Sequence, residues 1–314
     1  MLNDLVFSLN AVMPLFLIIV LGYVLKKKNF LSDGFVTSGN KLIFYIALPT
    51  TLFRNILSTG IEELLDWPFI AFVVGMSTLS FILIWFIAAY IIKDKKMLGA
   101  FVQGSFRGNF AFLGMPLLFN LSGEAGMARA ALIITFVLPL FNIFSVLVLS
   151  TCSNSSQRVG YKTVFFTILK NPLIIGIFIA FIFMVLNIRP PFMLERVTFY
   201  TSNMATPIAL ICLGAGIKFY GFDIRFKYAF AASIIKVLVL PIVFITIGYL
   251  LGFRGDDIAA ILVLGGIPSA IVGYTMVIQM GGDAYIASTI VVISTIMSAF
   301  TLTVFVYLLQ IFGV

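Results

Sequence analysis

Histidine is absent from the chain, which removes His-ligated metal sites and His proton relays. Only two cysteines occur, Cys152 at the end of one apolar run and Cys212 inside another. Neither has a metal-ligand neighbour in sequence, so both read as inert thiols. Charge is scarce as well: Asp, Glu, Lys and Arg make up 10% of residues, and no Asp or Glu falls inside an apolar run. A paired-carboxylate site for protons or sodium is therefore missing. A sodium site would need backbone carbonyls, hydroxyls and Asn oxygens. No long hydrophilic stretch leaves room for a separate soluble domain, so an ATP-driven pump has no nucleotide module. Phosphate-binding Gly-Lys-Ser/Thr loops, Ser-His pairs and HExxH motifs are missing too. With no activated nucleophile, the sequence does not read as an enzyme, and no cofactor or metal is expected.

What remains is apolar. Hydrophobic residues make up 61% of 314 positions, and runs of about 20 recur along the chain. The expected fold class is an all-α polytopic membrane protein. Ten spans are expected, at 5–25, 38–58, 68–92, 99–120, 127–150, 164–187, 198–217, 227–252, 257–280 and 285–311. The first run, Leu5–Leu25, has no basic residue before it and three lysines after it, the reverse of a signal peptide, so it reads as a retained span. The net charge is +8. It lies mostly in short loops, where it orients a membrane protein rather than binding nucleic acid. Lys26, Lys27, Lys28, Lys41, Lys93, Lys95, Lys96, Arg158, Lys162, Lys170, Lys218, Arg225 and Lys227 fall on one side of this topology. Arg54, Arg129, Arg189, Arg196 and Arg254 fall on the other. The first side is expected to be cytoplasmic and both termini outside.

The prolines carry an internal repeat. Pro14 and Pro172 open the first and sixth spans. Pro49 and Pro207 lie in the second and seventh at the same separation, and Pro116 and Pro268 are separated by slightly less. The repeats expected are residues 1–155 and 156–314. Five spans per repeat make the second copy enter from the opposite side, as an inverted repeat.

Two spans are built to break. Phe106–Pro116 in the fourth and Gly265–Gly273 in the ninth carry glycine, proline and polar residues where a span should be smooth. Interrupted spans in matching positions of two halves point to a transporter's binding site. Counted from Lys95 and Lys96, Asn109 lies roughly 15–20 Å into the membrane, near its centre. Its amide offers two donors and an acceptor. Gly108 and Pro116 weaken the helix around it; Pro268, Ser269, Gly273 and Tyr274 mark the partner break. The N–H groups at a half-helix start can hold an anion. Arg107 either neutralises an anionic substrate, braces the crossing or snorkels to the cytoplasm. Lys236 either offsets charge, couples transport to protons, or donates to backbone carbonyls at the crossing. Asn142 in the fifth span is a minor candidate for the cavity wall. The Ser294, Thr295, Ser298 and Thr301 cluster reads as helix packing.

Taken in order, Tyr45-Ile46-Ala47-Leu48-Pro49 with Leu52-Phe53, Arg107-Gly108-Asn109 with Phe112, Gly114 and Pro116, and Asn171-Pro172-Leu173 resemble the auxin efflux carrier family. So do Lys236 with Pro241, Ile267-Pro268-Ser269, and Gly281-Gly282-Asp283 followed by Ala287-Ser288 and Ser294-Thr295. The resemblance implies ten helices with crossed, broken fourth and ninth helices. It implies a scaffold of helices 1, 2, 6 and 7, a homodimer, and a mobile unit of helices 3–5 and 8–10 that works as an elevator. It also implies a small organic anion, such as a mono- or dicarboxylate, held near Asn109. The chain lacks the long central loop of the plant exporters and has Gly273 where they often place a second crossing proline. Both departures argue against auxin itself.

The function expected is export of a small carboxylate across the cytoplasmic membrane by a secondary active transporter or uniporter. Asn109, Arg107, Gly108, Pro116, Pro268, Ser269 and Tyr274 are expected to bind it, and Lys236 to compensate charge or couple transport. The alternatives are a sodium-coupled organic anion symporter of the bile-acid type and a membrane ligand sensor that moves nothing.

Overall fold

The computed structural model describes residues 2–58, 66–152, 172–186, 188–217 and 224–312, and every regular element among them is helical. In chain order these are α1 (Leu2–Lys27), α2 (Asp33–Leu42), α3 (Leu48–Ser58), α4 (Trp67–Ile91), α5 (Lys95–Phe106), α6 (Met115–Cys152) and α7 (Pro172–Val185). Then come α8 (Phe192–Ala215), α9 (Phe226–Ile234), α10 (Leu240–Leu250), α11 (Asp256–Gly266), α12 (Ile271–Gln279) and α13 (Ala284–Phe312). Six stretches are long and apolar enough to cross a membrane: Asp4–Lys27, Trp67–Ile91, Phe110–Cys152, Phe192–Ala215, Phe226–Leu250 and Ala284–Phe312. The protein is a multi-pass helical membrane protein. The expected sixth span begins at residue 164, so its first part lies outside the described residues. The end of the expected fourth span and the whole of the fifth lie in Met115–Cys152, two helices that meet at a kink at Gly123, whose φ of 56° turns the chain.

Acidic caps fix several helix starts. Asp66 accepts from the Phe69 N–H at 3.0 Å and Asp94 from the Met97 N–H at 3.0 Å. Asp283 accepts from the Ile286 N–H at 3.0 Å. Each satisfies a donor that the first turn leaves unpaired and sets a negative charge at the positive end of a helix.

Prolines explain three local widenings. Ile43–Ala47, Phe110–Gly114 and Ile235–Val239 are five-residue π-helical segments, each followed two positions later by a proline: Pro49, Pro116 and Pro241. A proline inside an α-helix clashes with the carbonyl four residues back and offers it no N–H. The residue before each proline donates instead to the carbonyl five back: Leu48 to Ile43, Met115 to Phe110 and Leu240 to Ile235. The wider turn relieves the clash and keeps the backbone paired in an apolar medium.

Glycine sets the closest helix contacts. Gly22 on α1 lies on the Ile211 backbone of α8, and Gly214 on α8 lies on the Ile19 backbone of α1; a Cβ at either would meet main chain. Such approach is how helices associate where lipid removes the hydrophobic drive. Large apolar side chains face outward, including Phe86 (78% exposed), Phe178 (63%) and Phe300 (71%). An aqueous surface rarely carries so many, whereas lipid accepts them.

Candidate functional site

The α5 helix ends at Phe106, and Arg107 turns extended (φ −87°, ψ 106°). Asn109 (φ −83°, ψ 56°) leads into the π-helical segment that resumes the span. From the other direction, α11 ends at Gly266, Ile267 is extended (φ −68°, ψ 150°), and α12 starts after Ala270. The two breaks meet. Gly108 and Ser269 pair as an isolated antiparallel bridge. The Asn109 N–H donates to the Pro268 carbonyl at 2.8 Å, and the Ala270 N–H donates to the Arg107 carbonyl at 3.2 Å. Peptide groups freed by each break are thus paired by the other, which makes a double interruption tolerable inside an apolar bundle. The Ser269 hydroxyl donates to the Gly104 carbonyl, and the Ser269 N–H donates to Ser294 Oγ at 3.1 Å. Space at Gly108 is tight: a Cβ there would sit 3.0 Å from Ile267 and 3.2 Å from the Lys236 side chain.

Two cations are buried beside the crossing. Lys236 is fully buried, and its ammonium donates to the carbonyls of Leu264 at 3.1 Å and Gly265 at 2.6 Å. Those are among the last carbonyls of α11, the negative end of a half-helix. Arg107 is 5% exposed. It donates through Nη1 to Ser145 Oγ at 3.0 Å and through Nη2 to Asn142 Oδ1 at 2.7 Å, with Met276 Sδ also in reach of Nη1 at 3.1 Å. No carboxylate among the described residues pairs with it. Its positive charge is held in place by neutral acceptors and is not cancelled. Snorkelling to the surface does not describe this side chain.

Asn109 is 4% exposed, and its amide makes no cap to the helix that follows and no hydrogen bond to the described residues. It reaches into two adjoining cavities. One, of about 80 Å³, is walled by Arg107, Gly108, Asn109, Asn142 and Ala270 among aromatic neighbours. The other, of about 520 Å³, is walled by Asn109, Thr37, Asn40, Lys41, Tyr45 and the first turn of α12 at Ile271 and Val272. A third cavity, also about 520 Å³, lies further along α3 and holds Thr51, Arg54, Pro116, Asn120, Glu124 and Asn203. Phe112 lines all three.

The crossing therefore brings Arg107, Gly108, Asn109, Pro268 and Ser269 together. Pro116 lines the third cavity instead, and Tyr274 packs half-buried against the apolar core and lines none of the three. Lys236 serves the backbone behind the crossing, and Asn142 stands in the wall of the small cavity. From sequence alone Lys41 counts only toward the charge of the cytoplasmic side, and Asn40 carries no assigned role. Their signal was spacing: Thr37, Asn40, Lys41, Phe44 and Tyr45 recur at helical period and form one face of the second span. Among the described residues, no group of three or more potential metal ligands gathers.

Crossed half-helices buried in a multi-pass helical bundle are the architecture of a membrane transporter. A family model described as "membrane transport protein" matches residues 7–306, and the chain belongs to that family, the auxin efflux carrier family. It is 28% identical to an uncharacterized transporter of Methanocaldococcus jannaschii, over 83% of this chain and 86% of that one. An uncharacterized transporter of Methanothermobacter thermautotrophicus is 24% identical over 94% and 96% of the two chains. A Rhizobium meliloti protein provisionally named a malonate transporter is 26% identical, over 96% of this chain and 95% of that one. The family and these relatives are transporters, and no catalytic function is indicated.

Proposed function

We propose that this transporter is a secondary carrier or uniporter that exports a small organic anion, a mono- or dicarboxylate, through the cytoplasmic membrane. The observation that carries the reading is Asn109: a nearly buried amide with no hydrogen-bond partner among the described residues, set at the crossing beside an uncancelled guanidinium. Its two donors and the Arg107 charge suit a carboxylate. The relative provisionally named for malonate supports the same class. Export needs no coupling ion, because an inside-negative potential expels an anion with about 2.3 kcal/mol per charge per 100 mV.

Movement follows an elevator form of alternating access within ten spans and two inverted repeats, 1–155 and 156–314. Ion pairs support the division into two bodies. Arg129 bridges Asp66 (3.1 Å) and Asp257 (2.6 Å), tying α4, α6 and α11, while Arg225 pairs with Asp283 at 2.9 Å between the starts of α9 and α13. Lys26 pairs with Asp33 at 2.9 Å, and Arg54 donates to the Glu195 carbonyl at 3.2 Å, both within the scaffold of α1, α2, α3, α7 and α8. Both termini face outside and the scaffold pairs with a second copy. A sodium-coupled mechanism is disfavoured at this crossing, since the Lys236 ammonium takes the carbonyls that a cation would need.

Transport in proteoliposomes tests the reading. Asn109→Ala is expected to abolish carboxylate flux and leave thermal stability unchanged. Full flux in that variant would remove Asn109 from the site.

A further inference from the structure

The small and large cavities meet at Phe44, Asn109, Phe112 and Val272, and among the described residues each carries one cation, Arg107 in the small and Lys41 in the large. Among the described residues, no Asp or Glu lines either of them. The third cavity, by contrast, holds one charge of each sign, Arg54 and Glu124. Volume divides the roles. At about 80 Å³ the small cavity has room for roughly two to three waters, comparable to the three heavy atoms of one carboxylate group. A longer anion seated there must extend past Asn109 into the larger space. Along α2, Lys41 shares a face with Thr37, one turn back, and is adjacent to Asn40, so two neutral hydrogen-bonding side chains stand with the ammonium. Lys41 has no ion-pair partner among the described residues. Orientation of the protein by positive loop charge would account for a lysine near this end of α2, but not for its place in the wall of the cavity that Asn109 lines.

We propose that Lys41, with Asn40 and Thr37, reads a second anionic group on the substrate, so that the site selects short-chain dianions over monoanions of the same skeleton. Arg107 and Asn109 take the first carboxylate and Lys41 takes the second. This rests on the carboxylate reading given above.

The test uses the full-length protein in proteoliposomes, with malonate and its monomethyl ester as probes. They share a skeleton and differ by one charge. Wild type is expected to take malonate with a KM about tenfold below that of the monoester, the scale of one charge-assisted contact at a partly wet site. Lys41→Gln is expected to raise the malonate KM about tenfold and leave the monoester KM unchanged, and Lys41→Arg to keep most of the preference. An unaltered ester-to-malonate ratio in a Lys41→Gln protein that still transports both would overturn the assignment and leave the carboxylate reading intact. Absence of flux for both probes in wild type, with no binding of either in a thermal-shift assay, would overturn both. Because the monoester reports folding and turnover in the same vesicles, a misfolded variant is told apart from loss of the second contact.

Discussion

Asn142 Oδ1 accepts a hydrogen bond from Arg107 Nη2 at 2.7 Å, and Ser145 Oγ, one turn further along α6, accepts from Nη1 at 3.0 Å. Neutral acceptors orient the guanidinium without discharging it, the condition under which a buried cation attracts an anion. Asn142→Asp changes one atom of that arrangement and places a carboxylate on the same nitrogen. The expected outcome is an internal ion pair, unchanged or raised thermal stability, and loss of carboxylate flux. Asn142→Ala should instead keep flux with a KM raised about tenfold. Uptake kinetics and thermal unfolding of the two variants in parallel separate charge cancellation from loss of positioning.

Lys236 plays a different part from Arg107, because it donates to the backbone carbonyls of Leu264 and Gly265 and lines none of the three cavities. Lys236→Met fills similar space and strands two carbonyls at the end of a half-helix. The expected destabilisation is about 3 kcal/mol or more, read as a lower unfolding temperature in detergent. A variant that transports normally and melts with wild type would show that the carbonyls find other partners.

Much of the crossing was legible because lipid punishes unpaired backbone. Gly108, Pro116, Pro268 and Gly273 stand out in apolar runs, and a break placed there has to be buried. The register of the meeting was not legible. That Gly108 pairs with Ser269 depends on how two segments far apart in sequence cross. The π-helical segments before Pro49, Pro116 and Pro241 were also hidden, since a proline predicts a kink and not which way the helix absorbs it. Lys41 was passed over because charge near a span end has a ready explanation in topology. Its alignment with Thr37 and Phe44 is present in the sequence but competes with the same pattern in any amphipathic turn.

Gly273 packs closely against a neighbour. A Cβ there would run into the Gln103 side-chain amide, which is 2% exposed and whose nitrogen has no hydrogen-bond partner among the described residues. Gly273→Ala is expected to displace Gln103 and cost about 1–3 kcal/mol, the usual range for overpacking. Gln103→Ala in the same background makes the space. The double variant should recover more than half of that loss, giving a coupling energy of at least about 0.5 kcal/mol in a double-mutant cycle. Additive losses would mean that the two sites do not touch in the folded protein.

If α4–α6 and α9–α13 move as one body past α1, α2, α3, α7 and α8, contacts between the bodies must break during each cycle. One polar contact crosses from α6 to α1: Asn120 Nδ2 donates to the Ala11 carbonyl at 2.9 Å. Breaking it costs little, since a single neutral hydrogen bond contributes only about 1 kcal/mol net. A covalent tether at the same place would be decisive. With Cys152 and Cys212 replaced by serine, Ala11→Cys and Asn120→Cys provide a pair that a short bis-thiol reagent can bridge. Bridging is expected to stop carboxylate flux, and a cleavable disulfide-containing reagent should restore it on reduction. The thermal-shift response to malonate should survive bridging, because the tether blocks sliding and does not occupy the cavity beside Asn109. Flux that continues through the bridged protein would mean that α1 and α6 travel together, and the scaffold would have to be drawn elsewhere.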